Sequence, residues 1–389
     1  MLQYIAQYII ISYDLYKINH MIKRTDSEVI GEGAYGCIHN PSLRCEKTPT
    51  TIDTNYTNKV SKVMEKKNAD KELDTYSIIA NIDKTNNYYL GKPIECKPID
   101  NTETKDSIKK CEKHGEELWK KFKDLSLLIM ENGGDNLEMY STKIHKWKKT
   151  KENKRKVEEF LLEFHRVISG IFLFSKKGIL HFDMKPQNIV FDDAKIRMNI
   201  IDFGLTNKLQ ILINNSKKSI NGFAKYHWSF PFEFYFVNKN AYDDFIQSTD
   251  STKNKYFDNL LKDILDTTVK TPEIIGFRYF YSYIFVEDDN MQTHVKNHFI
   301  EFKKTMLNMS TDTYDFFIKK SLNSVDVYGL GMTVLYVLHK VKTFLNTSLY
   351  NDLVRLSNKA VTADFINRIT IDDFLYEFET IFEISHSLM

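Results

Sequence analysis

The sequence predicts an α+β chain in which strands come first and helices follow. Glycine-punctuated runs of strand character end near residue 131. Beyond that point apolar residues recur at three- and four-residue spacing, for example Phe160, Leu161, Phe164, Val167, Ile168, Ile171 and Phe172. A length of 389 residues with 42% hydrophobic content supports one large two-lobed domain or a few small ones.

Glu28 to Cys37 reads as a strand, a turn and a returning strand. The turn is Gly31-Glu32-Gly33-Ala34-Tyr35-Gly36. In a dinucleotide-binding unit a helix should follow G-x-G-x-x-G. Here Ile38-His39-Asn40-Pro41 follows, and Asn-Pro rejects a helix start. A hairpin lying over phosphates fits better, since glycines let backbone N–H groups approach without a Cβ in the way. Lys59–Met64 reads as a strand carrying Lys62, and residues 68–82 as a helix carrying Glu72. Glu72 is the expected partner of Lys62, with Glu65 as its rival. Residues 88–99 suggest another strand, 100–121 a charged loop, and Leu125–Met130 a buried strand broken by Glu131-Asn132-Gly133-Gly134.

Residues 141–156 hold eight Lys/Arg against one acid and read as a solvated helix face and loop. Val157–Phe174 reads as one long core-facing helix, stopped by Lys176-Lys177-Gly178. Later helical spacing appears at Phe257, Leu260, Leu261, Ile264 and Leu265, and again at Met332, Val334, Leu335, Val337 and Leu338.

The net charge of +2 argues neither for nor against nucleic acid, and the slight Lys/Arg excess is not a basic footprint; no nucleic-acid partner is expected. Cys37, Cys45, Cys96 and Cys111 form no CxxC pair and suggest no disulfide framework, with a reducing compartment as the default. Residues 2–13 are apolar, but two glutamines interrupt a run too short to span a bilayer, and no small-residue cleavage site follows. No membrane anchor is expected. A packed or frayed extension is.

The most informative stretch is His181-Phe182-Asp183-Met184-Lys185-Pro186-Gln187-Asn188, followed fourteen residues after Asn188 by Asp202-Phe203-Gly204. Asp183 is placed to accept a proton from an attacking hydroxyl. Lys185 is placed beside a moving phosphoryl group, and Asn188 and Asp202 to hold a divalent cation. The order H-x-D-x-K-x-x-N then D-F-G resembles the catalytic and metal-binding loops of eukaryotic-type protein kinases. The resemblance covers about Glu28 to Phe378 and looks nearest to the divergent serine/threonine kinases of large DNA viruses.

That resemblance implies a two-lobed fold. An extension (1–24) precedes a small antiparallel-sheet lobe with one main helix (25–131). A larger, mainly helical lobe follows (132–389). It implies ATP and Mg2+ as cofactors and transfer of the γ-phosphate to Ser/Thr hydroxyls of protein substrates. It implies a cytoplasmic location, in host cytoplasm or virion if the chain is viral. Position by position, Gly31, Glu32, Gly33, Ala34, Tyr35, Gly36 and Ile38 would cover the nucleotide. Lys62 and Glu72 would form the ion pair that steadies the α- and β-phosphates. Met130, Glu131 and Asn132 would line the adenine pocket, and Asp135 would reach the ribose. Asp183 would be the base, Lys185 the neutraliser of γ-phosphate charge, and Asn188 and Asp202 the magnesium ligands.

Pro231-Phe232-Glu233 stands where that family has A-P-E, and Asp326-Val327-Tyr328-Gly329-Leu330-Gly331 resembles D-V-W-S-x-G. Arg368 matches the late arginine that pairs with the A-P-E glutamate. Phe182 replaces the arginine of H-R-D, which implies activity without phosphorylation of the segment carrying Thr206, Ser216, Ser219 and Ser229. Ninety-two residues separate Glu233 from Asp326, far more than the family uses, so residues of about 237–320 are expected to be a helical insertion. Two rival readings are an aminoglycoside-type small-molecule phosphotransferase and a pseudokinase acting as a binding module.

Overall fold

The computed structural model describes residues 27–33, 35–53, 56–220, 227–285, 290–310 and 313–387. The expected extension at 1–24 and Ala34 lie outside them. The chain divides into two compact units. Among the described residues, the first holds those from Ser27 to Leu73 with Lys92–Asn132, the second Asp74–Gly91 with those from Gly133 onward.

The first unit is built on a five-stranded antiparallel sheet: β1 (Glu28–Glu32), β2 (Gly36–Asn40), β3 (Lys59–Glu65), β4 (Ile94–Cys96) and β5 (Leu125–Glu131), in the order β1-β2-β3-β5-β4. Helix α1 (Lys66–Ile82) leaves β3 directly and continues into the second unit. Strand alternation divides the side chains between two faces. Cys37, Val63, Leu125, Leu127 and Ile129 pack on one face with Ile108 and Leu118, while Met64 and Leu128 pack on the other with Ala69 of α1.

Three expectations are corrected here. The charged stretch 100–121 is not loop but two short helices, α2 (Thr102–Lys109) and α3 (Gly115–Lys120). The Asn101 side chain caps α2 by accepting from the Thr104 N–H at 2.8 Å, and Ile108 and Leu118 are buried under the sheet. The extended segment 88–99 keeps only the three-residue β4 as strand. The four cysteines form two disulfides, Cys37–Cys111 and Cys45–Cys96. The partners are 74 and 51 residues apart, so no short motif announces them.

The second unit continues with β6 (Asp135–Asn136), α4 (Leu137–His145), α5 (Lys151–Leu162), α6 (Phe164–Lys176), β7 (Ile179–Leu180), β8 (Ile189–Asp192), β9 (Arg197–Ile200), β10 (Asn207–Lys208) and α7 (Leu209–Lys217). The single helix expected over 157–174 is two. The break is at Glu163, whose carboxylate accepts from Arg166 Nε at 2.7 Å and from the Met198 N–H at 3.0 Å. That contact ties the α5–α6 junction to β9. Residues 74–91 join this unit because Tyr76, Ile79 and Tyr89 are buried in its core and the Ile200 N–H donates to the Tyr88 carbonyl at 2.9 Å.

The described residues between 237 and 323 form five helices: α8 (Lys239–Gln247), α9 (Asp250–Leu265), α10 (Pro272–Ile284), α11 (Met291–Leu307) and α12 (Tyr314–Asn323). Asn238, Thr249 and Thr271 cap three of these helices with side-chain oxygens, so local sequence dictates where they start. Their aromatic residues close over Phe232, whose ring lies 4.4 Å from Phe277, 5.2 Å from Phe280 and 5.7 Å from Phe302. Helix α13 (Val325–Val341) follows and is apolar almost all round, hence buried along nearly its whole length. Helices α14 (Thr347–Val361) and α15 (Ile371–Ser387) complete the unit. Among the described residues, no helix is long and apolar enough to cross a membrane.

Candidate active site

In the first unit, β1 and β2 enclose the glycine turn, closed by the Gly33 N–H donating to the Gly36 carbonyl at 2.9 Å. The three glycines have different reasons to be glycine. A Cβ on Gly36 would lie 2.1 Å from the Val63 carbonyl oxygen, so packing against β3 forbids one. On Gly31 or Gly33 it would meet nothing closer than 3.8 Å, so their lack of a side chain leaves open space above the backbone. The Glu32 carboxylate accepts from the N–H groups of Glu112 and of Lys113, and the Gly33 carbonyl meets His114 Nε2 at 3.0 Å. Glu32 therefore anchors the turn from below. Tyr35 is exposed.

Ile38 lies opposite Lys62 in the β2–β3 register. Lys62 points to the face that carries α1, and Glu72, near the end of that helix's second turn, receives it. Nζ lies 3.0 Å from Oε1 and 2.8 Å from Oε2, with Lys62 6% and Glu72 4% exposed. A buried lysine is tolerable only when paired in this way. The rival Glu65 instead faces Lys67 and Lys121 near the surface. Met130 lies opposite Val60 on β5, Glu131 is ion-paired with Lys59, and the Asn132 N–H donates to the Asn58 carbonyl at 2.9 Å. Asp135 belongs to the second unit, where it is ion-paired with Lys143.

In the second unit, α6 ends at Lys176, and Gly178 turns the chain with φ +67°. Strand β7 then pairs with β10 and delivers His181. Two backbone donors are held from a distance: Asp326, in the first turn of α13, accepts from the His181 N–H at 2.7 Å and from the Phe182 N–H at 2.8 Å. Burial pushes the Asp326 carboxyl above its ordinary pKa, and those donors, with His181 beside it, oppose the shift. His181 Nε2 lies 3.0 Å from the Ile201 carbonyl, which only accepts, so Nε2 carries the proton and Nδ1 is left to accept from the Asp183 N–H at 3.3 Å.

The Asp183 carboxylate is the hub. Lys185 Nζ lies 2.9 and 2.7 Å from its two oxygens, and Asn188 Nδ2 donates to Oδ2 and to the Asp183 carbonyl, both at 2.8 Å. Ser229 Oγ approaches Oδ1 at 3.4 Å, and Ser229 itself meets His227 Nδ1 at 2.7 Å. With its Nδ2 committed to Asp183, Asn188 has its amide oxygen left as an acceptor. Strands β8 and β9 form the hairpin after Asn188, and the Ile201 N–H donates back to the Asn188 carbonyl at 3.0 Å. Asn188 and Asp202 therefore flank the same end of one hairpin. Asp202 takes φ +60°, which turns the chain so that Phe203 inserts among Tyr76 (5.1 Å between ring centroids), His181 (5.3 Å), Tyr89 (5.9 Å) and Phe174 (6.1 Å).

Sequence reading missed Ser229 and His227 as neighbours of Asp183. It also missed Gln187, whose Nε2 meets Tyr283 Oη of α10 at 2.6 Å and Glu138 at 2.8 Å. No local pattern marks these contacts, which join residues 46 to 96 apart. The expected pair of Glu233 and Arg368 is present and buried. No family model matches this chain.

Proposed function

We propose that this chain is an ATP-dependent protein kinase that phosphorylates Ser/Thr hydroxyls. The observation that carries this reading is the constellation of buried Asp183 and Asn188 with half-buried Lys185, at the root of a hairpin whose other strand leads to Asp202. Phosphoryl transfer asks for positioning and charge neutralisation more than covalent chemistry, and these groups supply both. The acceptor oxygen attacks the γ-phosphorus, the bond to the β-phosphate oxygen breaks, ADP leaves, and the hydroxyl proton passes to Asp183. Lys185, already against Asp183, neutralises charge on the phosphoryl oxygens. The Asn188 amide oxygen and the Asp202 carboxylate are hard oxygen donors suited to Mg2+, which when bound would neutralise phosphate charge. The open backbone at Gly31 and Gly33 suits close approach of phosphate oxygens, and the Lys62–Glu72 pair holds an ammonium ready for them.

The test is phosphate transfer from ATP to a generic basic protein, compared with sugar and aminoglycoside acceptors. Asp183→Asn and Asp202→Ala should each lower the rate by roughly 10²–10⁴ with the fold intact. Lys62→Met should abolish activity with only a modest loss of ATP affinity. Equal transfer by wild type and Asp183→Asn would defeat the proposal, as would preference for a small-molecule acceptor.

A further inference from the structure

Residues Cys37 and His39 stand two apart on β2, so alternation turns both to the same face of the sheet. The turn that ends α2 brings Cys111 to them. One ring nitrogen of His39 and the Sγ atoms of Cys37 and Cys111 all lie within 4.8 Å of one another, and all three residues are buried. His39 Nε2 lies 3.2 Å from the Ser107 carbonyl. A carbonyl only accepts, so Nε2 carries the proton and Nδ1 holds a lone pair. That Nδ1 is buried and makes no well-formed hydrogen bond, though the Cys37 backbone carbonyl lies near the ring. Buried polar atoms normally make such a bond, and an imidazole fixed by a backbone carbonyl through its other nitrogen is the usual posture of a metal-binding histidine.

We propose that Cys37, His39 and Cys111 form a zinc site of the reduced chain. In this structure the two sulfurs are joined. Reduction by a phosphine gives two thiols, with water supplying the two protons and its oxygen passing to the phosphine. Zinc then displaces one proton from each thiol, and His39 Nδ1 adds a neutral lone pair. Two thiolates cancel the dication, so the buried centre is uncharged, and the fourth tetrahedral position is left for water. The Cys45–Cys96 pair joins no such cluster among the described residues and serves as an internal control. Cys37 directly follows Gly36, and Cys111 directly precedes the residues whose N–H groups hold Glu32. The site thus ties the base of the glycine turn to the chain that anchors it.

The test uses the full-length chain, reduced with a phosphine without oxygen and titrated with Co2+ in place of Zn2+. One equivalent should produce thiolate-to-cobalt charge-transfer absorption that Zn2+ then removes. A Cys45→Ser/Cys96→Ser double variant should retain the band and Cys111→Ser should lose it. His39→Ala should weaken binding by about tenfold or more. A second measurement needs only wild type: Zn2+ should slow alkylation of Cys37 and Cys111, mapped by mass spectrometry, while Cys45 and Cys96 react as before. No charge-transfer band in the reduced wild type, wild-type-like binding by His39→Ala, or alkylation unchanged by Zn2+ would each overturn the proposal.

Discussion

Removing the Glu233 carboxylate should cost this protein more than almost any other single ion-pair change. Arg368 and Glu233 lie 135 residues apart, yet Arg368 Nη1 is 2.5 Å from Oε1 and Nη2 is 3.2 Å from Oε2, with both side chains at most 1% exposed. Glu233→Ala would leave a guanidinium in the interior with Ser324 Oγ at 3.0 Å, the Thr362 carbonyl at 3.0 Å, and the Tyr328 ring with its centroid 4.9 Å away. Stranding one member of a buried pair costs about 3–5 kcal/mol. The remaining acceptors place this case near the lower end, about 3 kcal/mol. At roughly 2–4 °C per kcal/mol for a body of this size, Tm should fall by roughly 6–12 °C. The assay is urea and thermal denaturation followed by fluorescence, with Trp147 and Trp228 reporting on this unit. The comparison is Glu377→Ala, which breaks the Lys359–Glu377 pair, 2.7 Å apart but 46% and 34% exposed. Such pairs are worth below about 1 kcal/mol. If Glu233→Ala costs no more than Glu377→Ala, the pair does not stabilise the fold as argued.

Three further outcomes are expected. Burial holds His227 and His298 at a pKa of about 4, below the ordinary 6.5, so between those values the unfolded chain binds more protons than the folded one. Stability should be complete above pH 6.5 and decline as pH falls toward 4, by at most about 2 kcal/mol per histidine at pH 5; an unchanged pH slope in His298→Gln would remove that residue from the account. Gly329→Ala would place a Cβ 2.3 Å from the Met184 carbonyl oxygen, between Asp183 and Lys185 in sequence, so phosphotransfer should fall at least about tenfold at a stability cost of about 1–3 kcal/mol; wild-type turnover would show that the loop tolerates the shift. Phosphatase-treated protein should be fully active, because Phe182 packs on Phe230 (5.0 Å) and Phe234 (5.8 Å) and Ser216 is buried; activity that appears only after phosphorylation of Ser216 or Ser219 would refute this.

Short-range physics was readable in the sequence. The glycine turn between strands, the Lys62 strand running into the Glu72 helix and the helical spacing within 237–320 all rest on periodicity and turn residues a few positions apart. The Glu233–Arg368 pair was legible only through a family resemblance, since nothing local links residues 135 apart. Tertiary structure alone decided the rest. The cysteines pair across 74 and 51 residues, because β2 and the end of α2, like the chain around Cys45 and Cys96, meet only once the sheet is assembled. Asp326 reaches back 145 residues to clamp the His181 and Phe182 N–H groups, and Ser229 comes from 46 residues away to Asp183. The apolar stretch 157–174 kept its periodicity across a break, because both helices bury the same kind of face while the Glu163 carboxylate is drawn to β9. Side-chain pattern specifies which face is buried, and only the packed chain specifies what lies against it.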